Sequence, residues 1–290
     1  MGQRVAVTGG SGKFGRAVVA HLAESGWDVV NLDQAPPPRP AGTYVKVDLT
    51  DYGQTAETLA AVDDRYRGLD AVVHLAAIPA PGLMPNSVTF ANNVRCTYNV
   101  FAAARQAGIR NLVWASSETV LGLPFDTPPP YLPVDERYPG RPESSYSLGK
   151  LVDETIAAQF CRWDPELKII GLRLSNVMEP GDYAAFPGYG ADPASRAWNL
   201  WGYIDARDGA QAVRRALEHT GTGYEVFIIA NADTVIGTRT SAELAAEFFP
   251  GVEVRGDLGA HQSLLGIDKA RRVLGYEPRH SWRDEITRPA

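Results

Sequence analysis

A tyrosine and a lysine stand four residues apart in the segment YSLGK, at Tyr146 and Lys150. The surrounding residues predict a helix over 145–161, and residues at this spacing lie on one face of a helix. A phenol is a poor acid or base near neutral pH, but a nearby ammonium favours its phenolate form. The pair could therefore move the proton of a hydroxyl group, although the same spacing is also common on exposed helix faces.

A serine provides a third candidate for the same chemistry. Ser117 lies in ASSETV, directly after an apolar segment that predicts a buried strand over 111–115, and it precedes Tyr146 by 29 residues. At the end of a strand its hydroxyl could hydrogen-bond the hydroxyl group that Tyr146 deprotonates. The three residues together favour oxidation of an alcohol, in which the carbon-bound hydrogen leaves as hydride.

A glycine-rich loop predicts where the hydride acceptor binds. TGGSGKFG, residues 8–15, lies between a predicted strand and a predicted helix. In such a loop Gly9 makes the tight turn, Gly12 lets backbone amides approach a pyrophosphate, and Gly15 lets helix and strand pack closely. This position in the chain favours a dinucleotide site over a surface turn.

An acidic residue indicates which dinucleotide binds. Asp33 ends the second predicted strand, 18 residues after Gly15. A carboxylate there accepts hydrogen bonds from the ribose hydroxyls of NAD and repels the additional phosphate of NADP. Arg39 is the only nearby cation that argues for NADP, so we expect NAD; the alternative for Asp33 is a solvated turn residue.

Short apolar runs alternate with amphipathic segments over the first 230 residues. This alternation predicts an α/β fold with a doubly wound parallel sheet, a Rossmann fold, whose ligand crevice lies at the carboxyl ends of the strands. The predicted strands are 5–7, 29–32, 44–47, 71–75, 111–115, 168–174 and 225–229. The predicted helices are 13–25, 54–61, 89–108, 145–161, 206–219, 241–249 and 267–274.

Two segments do not follow the alternation. Residues 177–202 show no clean period, and residues 231–290 hold only two predicted helices. We expect an NAD-binding domain over 1–176 and 203–230, and a small substrate-binding cap over 177–202 and 231–290. Aromatic residues of the first segment could stack on a sugar or form the core of the cap. They are Tyr183, Phe186, Tyr189, Trp198 and Trp201.

Composition excludes several functions. The chain has 28 basic and 34 acidic residues, a net charge of −6, and no basic stripe for nucleic acid. No segment approaches the roughly 20 apolar residues that cross a membrane, and MGQRVAVT does not resemble a secretion signal. The two cysteines, Cys96 and Cys161, favour a reducing, cytoplasmic location. The five histidines are scattered, so we expect no metal site.

These motifs resemble the extended short-chain dehydrogenase/reductase family, of the NAD-dependent epimerase/dehydratase type. The resemblance covers nearly the whole chain, with its motifs in the family's order. Besides the glycine loop, Asp33 and YSLGK, the resembling segments are VDL (47–49), HLAA (74–77), NNVRCTYNV (92–100), ASSETVLG (115–122), LRLSNVMEPGD (172–182), WGYIDARDGAQAV (201–213) and DKARRVLGYEP (268–278).

The resemblance implies roles for individual residues. Ser117, Tyr146 and Lys150 would be catalytic, and Lys150 would also hold the nicotinamide ribose. A substrate would meet Ser117, Glu118, Asn176 and, as a further candidate, Arg196. The family's helix pairing implies a homodimer through the helices 89–108 and 145–161. The implied NAD contacts are Gly9, Gly12, Lys13, Phe14, Gly15, Asp33, Asp48, Leu49, Leu75, Ala76, Ala77, Asn93, Tyr146 and Lys150.

Departures from the family's pattern reduce the range of substrates that we expect. Only 27 residues separate Asn176 from Tyr203, where relatives acting on nucleotide sugars carry a longer insert, so we expect a small substrate. Dehydratases carry Thr-Asp-Glu where this chain has Ser117, Glu118 and Thr119, which disfavours loss of water. The layout resembles sugar and uronate dehydrogenases, but the arginine that clamps a uronate is replaced by Ala184.

Three functions remain open on the sequence. The first is an NAD-dependent dehydrogenase acting on a hydroxyl of a small carbohydrate-like molecule. The second is an epimerase of a UDP-sugar that retains its NAD; Arg255, at a position where such enzymes often bind phosphate, favours it, although an exposed strand-end charge explains Arg255 equally well. The third is a dinucleotide-binding sensor or scaffold without chemistry, which the intact Ser117, Tyr146 and Lys150 disfavour.

Overall fold

The chain was analysed as a computed structural model, which describes residues 3–39, 42–60, 66 and 68–287. Two compact units are formed, each from three stretches of chain. The first comprises 1–116, 144–172 and 213–226, and the second comprises 117–143, 173–212 and 227–290. The second unit therefore includes four stretches that the sequence assigns to the NAD-binding domain, namely 117–143, 173–176, 203–212 and 227–230.

The helices and strands follow one another in the predicted alternation. The strands are β1 (Arg4–Thr8), β2 (Asp28–Asp33), β3 (Thr43–Lys46), β4 (Ala71–His74), β5 (Asn111–Ser117), β6 (Tyr131–Leu132), β7 (Lys168–Leu174), β8 (Val177–Met178), β9 (Ile204–Asp205), β10 (Gly223–Ile229) and β11 (Glu253–Val254). The helices are α1 (Lys13–Glu24), α2 (Tyr52–Leu59), α3 (Asn86–Gln106), α4 (Ser145–Trp163), α5 (Phe186–Ala191), α6 (Ala206–Glu218), α7 (Ser241–Phe248), α8 (Asp268–Leu274) and α9 (Trp282–Thr287).

Seven strands form the main sheet, in the order β10-β7-β5-β4-β1-β2-β3. β1 pairs in parallel with β2 and β4, β2 with β3, and β4 with β5. The order reverses between β1 and β4, which makes this the switch point at which doubly wound sheets bind ligands. The predicted Rossmann fold is confirmed.

The core of the first unit explains why its strands read as unbroken apolar runs. Both faces of a parallel sheet are covered by helices, so every position of β4 is buried. Phe101 of α3 meets Trp114 of β5 edge to face, with 6.1 Å between ring centroids, and both are fully buried. Burial of such side chains contributes about 1.5–3 kcal/mol each.

The second unit is built around aromatic side chains from short helices and the segments between them. Phe186 packs against Tyr183, Tyr203 and Trp282 with ring centroids 5.1 to 5.4 Å apart. Trp201 packs against Phe248 of α7. Three of the five aromatics that the sequence left between stacking and core, namely Tyr183, Phe186 and Trp201, are thus core residues with at most 1% exposure.

All seven predicted strands and all seven predicted helices are present, with small shifts at their ends. α2 begins at Tyr52 rather than at 54, because the side chain of Asp51 accepts a hydrogen bond from the Gln54 amide and caps the helix. Its expected last residue, 61, lies outside the described residues. No described helix is both long and apolar enough to span a membrane.

Candidate active site

The glycine loop of the first unit lies directly against the end of β4. Gly9 has a φ of +70°, and a Cβ on it would come within 2.7 Å of the Ala76 amide nitrogen. A Cβ on Gly15 would come within 2.0 Å of the Gly9 carbonyl oxygen. Neither position accepts a side chain without movement of the backbone, which is why glycine stands at both.

The loop leaves the first turn of α1 without a side-chain cap. Gly12 is the N-cap residue and has no side chain to satisfy the amides that follow it. Amides at a helix N-terminus attract an anion through their hydrogen bonds and through the helix dipole. Lys13, Phe14 and Gly15 form this first turn, so the predicted loop residues fit the pyrophosphate of a dinucleotide.

Asp33 lies at the end of β2, next to the same loop. Its Oδ2 accepts a hydrogen bond of 3.0 Å from the Ser11 amide, and its Oδ1 accepts one of 3.3 Å from the Ala35 amide. Asn31 donates to the Ser11 hydroxyl at 3.1 Å. These bonds hold the carboxylate beside the glycine loop at the end of β2, the position at which dinucleotide-binding folds carry an acidic residue for the ribose hydroxyls, so Asp33 fits the predicted role.

Other predicted cofactor contacts are arranged by hydrogen bonds to the backbone. Oδ1 of Asp48 caps its own turn by accepting from the Thr50 amide at 2.9 Å, and the Leu49 carbonyl accepts from Asn99 at 2.9 Å. Asn93 pairs with both the amide and the carbonyl of Ile78, at 2.8 and 3.0 Å. Its side chain thereby positions the segment that follows β4.

The segment after β4 is also tied to β1. The Thr8 hydroxyl accepts from the amides of Leu75 and Ala76, at 3.1 and 3.3 Å. Together with Asn93, this bond fixes the backbone of residues 75–77 beside the glycine loop. The predicted contacts Gly9, Asp33 and 75–77 therefore meet at one edge of the sheet.

Tyr146 and Lys150 lie in the first two turns of α4. A capping box starts the helix: Ser144 accepts from the Ser147 amide at 3.1 Å, and Ser147 accepts from the Ser144 amide at 2.9 Å. Lys150 Nζ donates to the Ala115 carbonyl of β5 at 2.6 Å and lies 5.9 Å from the centroid of the Tyr146 ring. The structure therefore brings the predicted pair together.

Burial affects the charge of Lys150. The side chain is buried, which lowers the pKa of its ammonium, while the negative charges of Asp153 and Glu154 act in the opposite direction. Nζ also lies 5.3 Å from the centroid of the Trp114 ring. The Lys150 amine is therefore held between its own helix, α4, and strand β5.

Ser117 is the last residue of β5 and the first residue of the second unit. Its hydroxyl oxygen accepts from the amide and the hydroxyl of Thr119, at 3.2 and 3.0 Å, and caps a short 3₁₀ helix over Glu118–Leu121. These two bonds orient the oxygen, and the Ser117 hydroxyl hydrogen can be donated elsewhere.

Glu118 is the centre of a buried polar cluster in the second unit. Its Oε2 accepts from the Ser175 hydroxyl at 2.5 Å, and its Oε1 accepts from Asn199 Nδ2 at 3.2 Å. Burial raises the pKa of the Glu118 carboxyl to about 7, against the opposing effect of these hydrogen bonds and of the Arg196 charge. Glu118 is thus a candidate proton-exchanging group near neutral pH.

Arg196 belongs to the same cluster and is only 6% exposed. One terminal nitrogen donates to Asn176 Oδ1 at 3.1 Å and the other to the Gly202 carbonyl at 2.9 Å. Its guanidinium lies about 5 Å from the ring centroids of Tyr189 and Trp198. The structure therefore brings three predicted substrate contacts together, namely Glu118, Asn176 and Arg196.

Sequence reasoning missed several residues of these clusters. Ser175 and Asn199 contact Glu118 in the second unit, and Thr97 and Asp153 are buried near Lys150 in the first. Asp153 carries a usable signal, because a charged residue at a buried helix position requires a partner. Asn199 carries none, since it ends a short 3₁₀ helix, Pro193–Asn199, that no hydrophobic periodicity predicts, before two residues with left-handed backbone, Leu200 and Trp201.

Arg255 and the histidines complete the account of the predicted positions. Arg255 pairs with Glu253 at 3.1 Å and stacks over the Tyr131 ring at 3.6 Å, so its charge is already compensated by a neighbour. Within the described part of the chain, no group of three or more histidine, cysteine, aspartate or glutamate side chains is placed to hold a metal ion.

The chain is similar to proteins of one known family. A family model described as "NAD dependent epimerase/dehydratase family" matches residues 5–230. UDP-glucose 4-epimerase 2 of Oryza sativa subsp. japonica is 32% identical over 239 residues, which are 76% of this chain and 54% of that protein. The chain thus spans about half the length of this epimerase.

Two further proteins match the chain nearly end to end. NAD-dependent glucose-6-phosphate dehydrogenase of Haloferax volcanii is 28% identical, over 96% of this chain and 94% of that protein. Among solved structures, a short-chain dehydrogenase/reductase superfamily protein from Agrobacterium tumefaciens with bound NAD superposes with a TM-score of 0.71 at 24% identity, covering 98% of this chain and 95% of its own. At this sequence identity, the structural similarity is evidence for the fold alone.

Proposed function

Since the chain belongs to the NAD dependent epimerase/dehydratase family, we propose that it oxidises a hydroxyl group of a small carbohydrate-like substrate with NAD. The observation that carries the proposal is the Tyr146–Lys150 pair, whose amine is fixed by the Ala115 carbonyl beside the tyrosine ring. When bound, NAD supplies the acceptor for the hydride that leaves the substrate carbon.

Tyr146 is the base in this proposal. Its phenolate takes the proton of the substrate hydroxyl while the carbon–hydrogen bond breaks and the carbon–oxygen bond becomes a carbonyl. The positive charge of Lys150 favours the phenolate. Lys150 donates one hydrogen bond to Ala115, which leaves further ammonium hydrogens for the ribose hydroxyls of the cofactor.

Ser117 orients the substrate. With its oxygen held by Thr119, the serine hydroxyl donates its hydrogen to the reacting oxygen of the substrate. Glu118 and Asn176 contact other hydroxyls of a sugar, and Arg196 holds the Asn176 amide in position. In this proposal Tyr146, Lys150 and Ser117 supply the chemistry, and Glu118, Asn176 and Arg196 supply the selectivity for the substrate.

The short segment between Asn176 and Tyr203 supports a small substrate. Three of its five aromatic side chains, Tyr183, Phe186 and Trp201, are core residues of the second unit and offer no face on which a nucleoside base could stack. The other two, Tyr189 and Trp198, are half-buried beside the Arg196 guanidinium. The full-length match to an NAD-dependent glucose-6-phosphate dehydrogenase also supports a sugar without an attached nucleotide.

Epimerisation of a UDP-sugar is the second candidate. The 32% identity to a UDP-glucose 4-epimerase favours it, since that enzyme's name states this activity. The same Tyr146, Lys150 and Ser117 would serve, but the sugar would be oxidised and then reduced again on its other face, with no net change in a bound NAD. The match extends over about half of that epimerase, which is why we rank this function second.

A homodimer and a cytoplasmic location complete the proposal. Helices α3 and α4 expose Val88, Tyr98, Leu148 and Trp163, each more than 40% accessible, and such apolar residues on neighbouring helices suit pairing with a second copy. The two buried cysteines carry free thiols, as expected in a reducing compartment. Sedimentation of the purified protein tests the dimer.

The experiment for the activity is a panel of substrates with added NAD. Free aldoses, sugar phosphates, uronic acids and polyols are compared with UDP- and dTDP-sugars, and both NADH formation and sugar isomers are measured. Net NADH with a free or phosphorylated sugar supports the dehydrogenase. Isomer formation from a UDP-sugar without net NADH supports the epimerase and contradicts our first choice.

A further inference from the structure

A series of buried hydrogen bonds runs through the first unit from Thr8, which directly precedes Gly9 of the glycine loop, to Asp153 of α4. The Thr8 hydroxyl lies 2.7 Å from His74 Nδ1, and His74 Nε2 lies 3.3 Å from the Thr97 hydroxyl. The Thr97 hydroxyl donates to Asp153 Oδ2 at 2.9 Å. All four side chains are at most 3% exposed. The chain links the end of β1 to α4 through β4 and α3.

The donors in this chain have a defined direction. A hydroxyl has one hydrogen, and Thr97 gives its hydrogen to Asp153, so it accepts the hydrogen on His74 Nε2. Nδ1 of His74 then accepts from Thr8, whose oxygen in turn accepts from the amides of Leu75 and Ala76. His74 is therefore neutral with its hydrogen on Nε2, consistent with burial lowering the pKa of its imidazole to about 3.

Asp153 is the last residue of this hydrogen-bond series and lies one helical turn after Lys150. Its Oδ2 is held by Thr97, while Oδ1 is buried and has no hydrogen-bond partner among the described residues. A buried carboxylate without full hydrogen bonding is costly unless an opposite charge compensates it. The Lys150 ammonium is buried in the same region, and the Asp153 charge is the foremost influence that keeps this ammonium protonated.

The charged and titratable groups around the pair are few. On α4 they are Tyr146, Lys150, Asp153 and Glu154; the Tyr146 ring centroid lies 5.9 Å from Lys150 Nζ, and Glu154 accepts from the Ser116 hydroxyl of β5 at 2.7 Å. On α3 Cys96 lies within electrostatic range, and its thiol pKa is raised by burial to about 12. On β4 His74 stays neutral. Asp153 and Glu154 are thus the anions of α4 that face Lys150.

We propose that Asp153 is a positioning residue that keeps Lys150 in its charged, cofactor-binding form, and that Thr97, His74 and Thr8 hold the Asp153 carboxylate in place. The proposal rests on the function proposed for Lys150. It also links the Lys150 charge to the strand ends that carry the cofactor loop, because Thr8 precedes Gly9 and binds the backbone of residues 75–76.

The pH dependence follows from the order of the two titrations. Burial raises the pKa of the Asp153 carboxyl to about 7. Above that pH Asp153 is ionised, and an ionised Asp153 favours the ammonium of Lys150. Asp153 therefore carries its charge over the alkaline range in which Lys150 would otherwise lose its proton, and cofactor binding through Lys150 extends to higher pH.

The test measures the titration of Lys150 in the protein without added cofactor. Nuclear magnetic resonance of lysines labelled at Cε resolves Lys150 from Lys13, Lys46, Lys168 and Lys269, and K150R identifies its signal. We expect Asp153→Asn to lower the pKa of the Lys150 ammonium by about one unit. Glu154→Gln is the matched control, one residue further along α4, and we expect a smaller change from it.

A second variant tests the hydrogen-bond chain without removing the charge. Thr97→Val removes the donor to Asp153, so the Asp153 carboxyl signal should titrate at a higher pH than in the unmodified protein. In the unmodified protein, the chemical shifts of the His74 ring nitrogens should report the Nε2–H form from pH 5 to pH 9. A charged His74, or an Asp153 titration unchanged by Thr97→Val, would overturn this part of the proposal.

Activity provides the last readout. If the enzyme oxidises a sugar, Asp153→Asn should move the alkaline limb of the kcat/KM profile for NAD to lower pH by about the change seen for Lys150. An unchanged Lys150 titration in Asp153→Asn, or one as small as in Glu154→Gln, overturns the proposal. A shifted titration in a protein that oxidises no sugar contradicts the proposed function and leaves the Asp153–Lys150 coupling standing.

Discussion

The first and second units build their polar sites in different ways. In the first unit, the predicted site residues lie at strand ends or in the first two turns of a helix, as Gly9, Asp33 and Lys150 do. In the second unit, Glu118 is held by Ser175 and Asn199, which come from irregular chain 57 and 81 residues further along. Regular elements thus position one site, and long-range hydrogen bonds position the other.

The two buried acids show what this difference means. Asp153 and Glu118 both have a pKa raised by burial to about 7. Asp153 lies on a regular helix, one turn from a fixed ammonium, and we assign it to the chemistry of Lys150. Glu118 connects loop segments, so its charge affects the stability of the loops as well as any substrate they bind. The variants below test this contrast.

The largest effect is expected at Tyr146. Tyr146→Phe keeps the ring beside Lys150 and removes only the hydroxyl, so kcat should fall about thousandfold while NAD binding is retained. Tyr52→Phe is the control, because its hydroxyl binds Gln106 at the surface of the same unit. Steady-state rates give kcat, and titration with NAD gives the affinity, for both variants. A near-normal kcat in Tyr146→Phe would show that Tyr146 is not the base.

A backbone change should affect the cofactor site next most strongly. Gly15→Ala places a Cβ within 2.0 Å of the Gly9 carbonyl, so the loop must move and NAD affinity should fall about 100-fold. Gly149→Ala is the control for an added methyl group, since that Cβ meets only side chains at 3.7 Å. Calorimetric titration with NAD gives both affinities. Equal affinity in the two variants would show that the loop does not hold the cofactor.

Glu118 should link stability to pH. A carboxyl whose pKa rises from 4.5 unfolded to about 7 folded makes the folded state lose stability as pH rises through that range. Glu118→Gln removes this loss, which amounts to at most about 3 kcal/mol. Urea unfolding at pH 5 and pH 8 measures it, with Glu253→Gln as an exposed control. The same pH dependence in Glu118→Gln and the unmodified protein would refute the assignment.

A smaller effect is expected at Asp33, whose carboxylate we propose to bind the ribose hydroxyls of NAD. Asp33→Ala removes the acceptor for Ser11 and for the cofactor, so NAD affinity should fall about tenfold. Asp28→Ala is the matched control at the other end of β2, where the carboxylate pairs with Arg4. If both variants bind NAD equally well, Asp33 serves the loop alone.

The smallest change concerns α4 itself. Gly149→Ala adds a methyl group in ordinary contact with Phe90 and Val94 and favours the helical backbone, so the free energy of unfolding should rise by about 0.5–1 kcal/mol. Urea unfolding measures the gain. A loss of stability instead would mean that the α3–α4 packing has no room at this position.

The sequence predicted the regular elements well because each carries a local signal. β7 matches its predicted bounds, Lys168–Leu174, since a strand buried on both faces is a continuous apolar run. α4 begins at its predicted residue, Ser145, where the Ser144–Ser147 capping box starts the helix. The positions of Gly9 after β1 and of Asp33 at the end of β2 followed from the same reasoning.

The irregular part could not be predicted because its contacts lack periodicity. β8 and β9 are two residues long and exist only through pairing with each other. The bonds from Ser175 and Asn199 to Glu118 join segments that no spacing rule relates. Two non-glycine residues with positive φ, Leu200 and Trp201, are held by packing and not by local preference.

The most direct test of the account is the ratio of NADH formed to sugar consumed, measured with excess NAD and a sugar that the panel identifies as a substrate. Oxidation by Tyr146, Lys150 and Ser117 predicts one NADH for each sugar consumed and a product with one carbonyl group more. Conversion of the sugar to its isomer without accumulation of NADH would contradict the account and assign the same residues to an epimerase.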